Sequence, residues 1–194
     1  MRSKLLLIGL ILFTLVNSSC SLISGSADGI YLIPNGYIGD VIIVFNQPNG
    51  VTPEIEKGRN VYKIPEDGIL KVEARARTGI VNLSYFYVDN NNERQEIKYL
   101  RVTGERNPAG EPQNKFGDIS QQDYENGTFV MNVGGLGSFN TKQGVVQYTS
   151  FIIGTPKDSG HLYDKMQKRI SQLQRKFIEQ SNKGIQRTRN QQVS

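Results

Sequence analysis

Tryptophan is absent from this 194-residue chain, and cysteine and histidine occur once each, as Cys20 and His161. One cysteine excludes an internal disulfide and any multi-cysteine metal site. One histidine means that a Ser-His-Asp triad or a two-histidine zinc site would have to use His161 or borrow from a second chain. The apolar run at 5–16 has twelve residues, too short to span a bilayer comfortably as a permanent helix. Hydrophobic residues make up 37%, yet eight Phe and nine Tyr suffice for one modest core. The length favours one domain with attachments.

Charge is unevenly spread. Residues 157–194 carry nine basic and three acidic side chains, whereas residues 20–156 carry twelve basic and fifteen acidic ones. The net +5 therefore belongs to a C-terminal arm attached to a mildly acidic body, and a nucleic-acid-binding reading of the average is rejected.

Residues 1–19 are laid out as a secretory signal. Arg2 and Lys4 precede the apolar run, and Asn17, Ser18 and Ser19 follow it. The sole cysteine comes next. This arrangement resembles the lipobox of bacterial lipoproteins, in which the cysteine becomes the acylated first residue of the mature chain. Ser18 and Ser19 fit that pattern. Asn17 departs from it, standing where an aliphatic residue is usual, with Val16 one place early. The resemblance implies lipidation at Cys20, with palmitate-type chains holding the protein to the lipid bilayer at about 0.8 kcal/mol per buried methylene. It also implies a cell-envelope location. With Ser21 rather than Asp after the cysteine, the sorting rule of that class points to the periplasmic side of an outer membrane where the organism has two membranes. The alternative is an ordinary signal peptide with an incidental cysteine. Residues 20–28 read as a short tether.

From residue 30 onward, β-rich runs alternate with turn chemistry. The runs at 30–33, 40–46, 60–64, 69–76, 80–89, 95–103, 128–133 and 144–154 read as strands. The run at 40–46, DVIIVFN, is dense enough in β-branched residues to be buried on both faces. Asn35-Gly36, Gln47-Pro48-Asn49-Gly50, Pro65-Glu66-Asp67-Gly68 and Asn90-Asn91-Asn92 read as turns, and 134–137 as a flexible turn. This turn spacing predicts a mainly β domain over 29–156, an antiparallel β-sandwich. Residues 104–126 are a long polar loop, a length usually reserved for function or mobility.

Residues 157–183 change period. Leu162, Tyr163, Met166, Ile170, Leu173, Phe177 and Ile178 form the apolar stripe of one C-terminal amphipathic α-helix, capped by Asp158 or Ser159 and ended by Gly184. Lys165, Lys168, Arg169, Arg175 and Lys176 line its other face, a candidate binding surface. Three uses of that face stay open: a solvated face of a packed helix, self-association or docking on an envelope protein, and contact with anionic lipid. Residues 184–194 read as a disordered tail.

No catalytic constellation, metal loop or cofactor motif emerges. Gly134-Gly135-Leu136-Gly137-Ser138 lacks the Lys-Ser/Thr ending of a phosphate loop. Asp28, Asp40, Glu66, Asp67 and Asp89 sit at turns but do not form a calcium-binding loop; bonds to turn backbone account for them. His161 reads as a cap or surface residue. The leading functional expectation is a non-enzymatic binding or assembly module. The alternative is an envelope hydrolase, which requires its carboxylates to converge.

YLIPNGYIGDVIIVFNQ, VYKIPEDGIL and YFYVD together resemble a bacterial domain of unknown function, found in proteins that are often membrane-attached or exported. The resemblance covers about 31–102, with FIIGTP at 151–156. The paired Ile-Pro turns carry it, and it implies a family without an assigned activity.

Overall fold

The computed structural model describes residues 29–76, 82–100 and 121–191. The signal segment 1–19, Cys20 with its tether to residue 28, most of the 104–126 loop and the last three tail residues lie outside the described residues.

Three layers stack: a five-stranded sheet, a second sheet of five strands, and a helix. Sheet A runs β3(Glu54–Glu56), β4(Arg59–Lys63), β1(Gly29–Pro34), β6(Leu83–Val88) and β7(Arg94–Glu96). Sheet B runs β5(Ile69–Lys71), β2(Gly39–Val44), β10(Gly144–Gly154) and β8(Phe129–Met131), with β9(Gly137–Thr141) also on β10. The mainly β fold with one long C-terminal helix is as expected. Its pairing is mixed rather than wholly antiparallel: β1 lies parallel to both β4 and β6, and β2 is parallel to β5.

The two Ile-Pro turns cause this difference. Each is an arch that carries the chain from sheet A into sheet B, not a hairpin between neighbours. At the first arch the Tyr37 amide donates to the Pro34 carbonyl at 3.0 Å; at the second, the Gly68 amide donates to the Pro65 carbonyl at 2.9 Å. Strands that leave one sheet through like arches return to it in the same direction, so they pair in parallel. The register follows the sequence likeness. Tyr31 lies beside Tyr62 and Leu32 beside Lys63, which puts the prolines level.

Alternation along the strands divides the core in two. In β2, Val41 and Ile43 face sheet A, while Ile42 and Val44 face the helix; all four are fully buried. Between the sheets, Tyr31 stacks on Tyr62 at 5.2 Å and on Tyr85 at 5.0 Å, and Phe151 of β10 meets Tyr31 and Tyr85 edge-on at 5.3 and 5.1 Å. Burial pushes the phenols of Tyr31 and Tyr85 up from their ordinary value.

β8 and β9 are two parts of one arm that follows β10. Met131 pairs with Ile152 and Gly137 with Tyr148, so two extra residues are accommodated between them. The strand at 137–141, inside and beyond the expected flexible turn, was hidden because Phe139 is its one buried residue. β3 lies between the expected runs at 40–46 and 60–64; it is a three-residue edge strand of Glu54, Ile55 and Glu56. The start of the described part of the polar loop is helical, α1(Gln121–Asn126).

Thr155 caps the 3-10 turn Pro156–Asp158, which opens into α2(Ser159–Gln191). Leu162, Met166, Ile170 and Leu173 bury its stripe against Phe129, Met131, Val146 and Ile152 of sheet B. The backbone stays helical past Gly184, where an internal glycine costs only about 1 kcal/mol relative to alanine.

Candidate functional site

The five cations expected on the helix face divide in the structure. Lys165, Lys168, Arg175 and Lys176 are exposed, and the steps of three from Lys165 to Lys168 and of seven and eight from Lys168 to Arg175 and Lys176 set them along one flank. Arg169 turns inward. Its guanidinium donates to Asp40 Oδ2 at 2.7 Å and to the Asp67 carbonyl at 2.5 Å. Asp40 is wholly buried. Arg169 is therefore a structural cation that joins helix to sheet, and it leaves the candidate binding surface.

The ion pair sits where both arches meet. The Tyr37 hydroxyl, from the first arch, donates to the Asp40 carbonyl at 2.6 Å, and the Tyr87 hydroxyl donates to the Tyr37 carbonyl at 2.8 Å. Burial, followed by the Asp40 charge, pushes the Tyr37 phenol up against the opposing pull of Arg169. Gly68, from the second arch, packs so closely here that a Cβ would overlap both the Tyr37 hydroxyl and the Asp40 carbonyl. The family-like motifs thus build a polar node that fixes the helix.

A second polar feature closes the outer face of sheet A. Arg94 of β7 donates to both carboxylate oxygens of Glu56 of β3, at 3.0 and 2.8 Å. These strands are opposite edges of the sheet, so its twist brings the edges together over the outer face. Ile30 and Val61 are buried there, outside both core clusters. The hydrogen bond from Arg94 holds the Glu56 carboxyl below its usual range, and the same bond raises the Arg94 guanidinium. Arg59, the cross-strand partner of Glu56, secures the start of β1 and β6, with one guanidinium nitrogen contacting the Gly29 carbonyl, the Asn82 carbonyl and Ser84 Oγ at 2.8–2.9 Å.

The other acidic residues are dispersed. Asp67 Oδ1 accepts from the Ile69 amide, and Asp89 Oδ1 from the amides of Asn91 and Glu93, the turn roles expected of them. Glu54 pairs with Lys63, and Glu73 accepts from Thr52. Among the described residues no three His, Cys, Asp or Glu side chains are grouped to hold a metal ion. His161 is exposed on the first turn of α2. Asp40 departs from the turn reading. No local signal links it to Arg169, 129 residues later.

A crystal structure of a candidate lipoprotein from Bacillus anthracis has the same fold, with a TM-score of 0.51 at 18% identity, covering 78% of this chain and 97% of that one. No curated protein matches the chain. The model of a family of unknown function, DUF6843, matches residues 25–157, a span that holds both arches, both sheets and the start of the approach to the helix, and the chain belongs to that family.

Proposed function

We propose that this protein is an envelope lipoprotein, anchored to the bilayer through acylated Cys20, whose folded domain serves as a non-enzymatic binding or assembly module. The observation that carries the reading is the position of Cys20. It directly follows the signal-like segment and lies nine residues ahead of Gly29, where β1 begins. The family match starts at residue 25, within the tether and four residues ahead of β1. The lipoprotein naming of the similar Bacillus anthracis structure agrees with this context.

The module half of the proposal draws on how the charged groups are used. Asp40 holds Arg169 at the helix, and Glu54 and Glu56, both on β3, hold Lys63 and Arg94. A hydrolase reading asks for converging carboxylates free to act, and each of these is engaged by its own cation.

Detergent phase partitioning of cell envelopes tests the anchor. The native protein is expected in the detergent phase, and a Cys20→Ala chain that has been processed is expected in the aqueous phase. A processed Cys20→Ala chain that stays with the membrane contradicts the proposal. Crosslinking and pull-down from envelopes with lipidation intact then tests for a protein partner.

A further inference from the structure

We infer that the exposed cationic flank of α2 is a second membrane contact, seated on the anionic headgroups of the leaflet that holds the anchor. The inference deepens the lipoprotein reading, and its first basis is where the chain enters the fold. Tyr31, two residues into β1, lies level with Tyr62. Tyr62 meets Phe45, just past the end of β2, with ring centroids 6.3 Å apart. Val44 at the end of β2 pairs with Lys71, and the Lys71 ammonium lies 5.2 Å from the centre of the Phe177 ring. Phe139 packs on the same ring at 5.7 Å. Gly29 therefore lies at the end of the sandwich reached by the second half of α2. The first half is held at the opposite, arch end, where Arg169 meets Asp40 and Asp67.

The second basis is length. Residues 21–28 extend at most about 28 Å. An anchor at Cys20 keeps the Gly29 end of the sandwich, and with it the second half of α2, within that distance of the bilayer.

The third is charge. Arg175, Lys176 and Lys183 are exposed on this half, and Lys165 and Lys168 continue the flank towards the arch end. Between residues 159 and 191 the acidic residues are Asp164 and Glu179 alone, while Arg187 and Arg189 add to the basic count. The helix is the outer layer on sheet B, so its flank is free to meet a surface. Each Lys or Arg near an anionic leaflet strengthens partitioning about fivefold. One acyl site and one basic patch together make a stable two-signal attachment. Arg169 makes no contribution, because Asp40 already neutralises it.

Vesicle flotation tests this without relying on acylation. The mature chain, residues 20–194, with Cys20→Ser keeps every described residue and carries no lipid. It is expected to float with vesicles of phosphatidylcholine and phosphatidylglycerol in a 3:2 ratio, to stay at the bottom with phosphatidylcholine alone, and to be released by 0.5 M NaCl. Adding R175Q/K176Q/K183Q is expected to weaken flotation roughly a hundredfold, three fivefold losses. A K63Q/K98Q control, which removes charge from sheet A and its following segment, is expected to change it little. Failure of the Cys20→Ser chain to float with the anionic vesicles overturns the inference, as does equal loss from the control. Either result leaves the acyl anchor, tested on the native protein, untouched.

Discussion

Arg169 and Asp40, 129 residues apart, form the ion pair that binds the helix to the sandwich, with 2.7 Å between Nη1 and Oδ2. Asp40 has no solvent exposure, and Arg169 is the cation that its carboxylate meets. Removing one partner of such a pair costs about 3–5 kcal/mol, because the other stays buried and uncompensated. Arg169→Ala is expected to lower stability by about that much in urea unfolding, and Arg169→Ala with Asp40→Leu to cost less than Arg169→Ala alone. Equal loss in the single and double variants would show that the pair is not what couples helix to sheet.

The two arches predict a contrast between two glycines. Gly36 has φ +73° and open space where a Cβ would go. Alanine there should cost about 1 kcal/mol, the left-handed backbone term alone. Gly68 has φ +74° with the Tyr37 hydroxyl and the Asp40 carbonyl in the Cβ position. Alanine there should cost about 2–4 kcal/mol, since overlap adds to strain. Thermal or urea unfolding of both variants checks the order, and equal effects would contradict the packing of the second arch on the first.

The stacked tyrosines predict an alkaline limit to stability. An unfolded tyrosine ionises near its ordinary value of 10.0, whereas burial raises Tyr31 and Tyr85 above it. Above pH 10 the folded chain therefore retains protons that the unfolded chain releases, and stability falls as pH rises. In a titration followed by phenolate absorbance, Tyr31 and Tyr85 are expected to ionise only together with loss of the fold. Tyr31→Ala, which removes the central ring, is expected to cost about 3–5 kcal/mol. Full ionisation with the fold intact would contradict the stacking.

Much of this architecture could be read from local chemistry. The run at 40–46 became a strand buried on both faces, the last strand occupies 144–154 as expected, and Leu162, Met166, Ile170, Leu173 and Phe177 of the helix stripe pack where its period placed them, while Tyr163 and Ile178 of that stripe are exposed. In each case the deciding information lay within a dozen residues. The strand directions did not, because a Pro-Gly turn that closes a hairpin and one that arches between sheets use the same residues. The fate of Arg169 was hidden for a related reason. Helical spacing puts it at the edge of the cationic flank, and only the second arch, delivering the Asp67 carbonyl beside Asp40, turns it inward. The bond between Glu56 and Arg94 was equally invisible, since it joins the two edges of a curled sheet.

Intact mass and N-terminal peptide analysis of the protein purified from membranes test the central claim, attachment through Cys20, most directly. The account predicts a mature chain that begins at Cys20, with its sulfur in a thioether to diacylglycerol and closed to alkylation. A membrane-extracted chain that begins elsewhere, or one whose Cys20 is a free thiol that reacts with iodoacetamide, would contradict it.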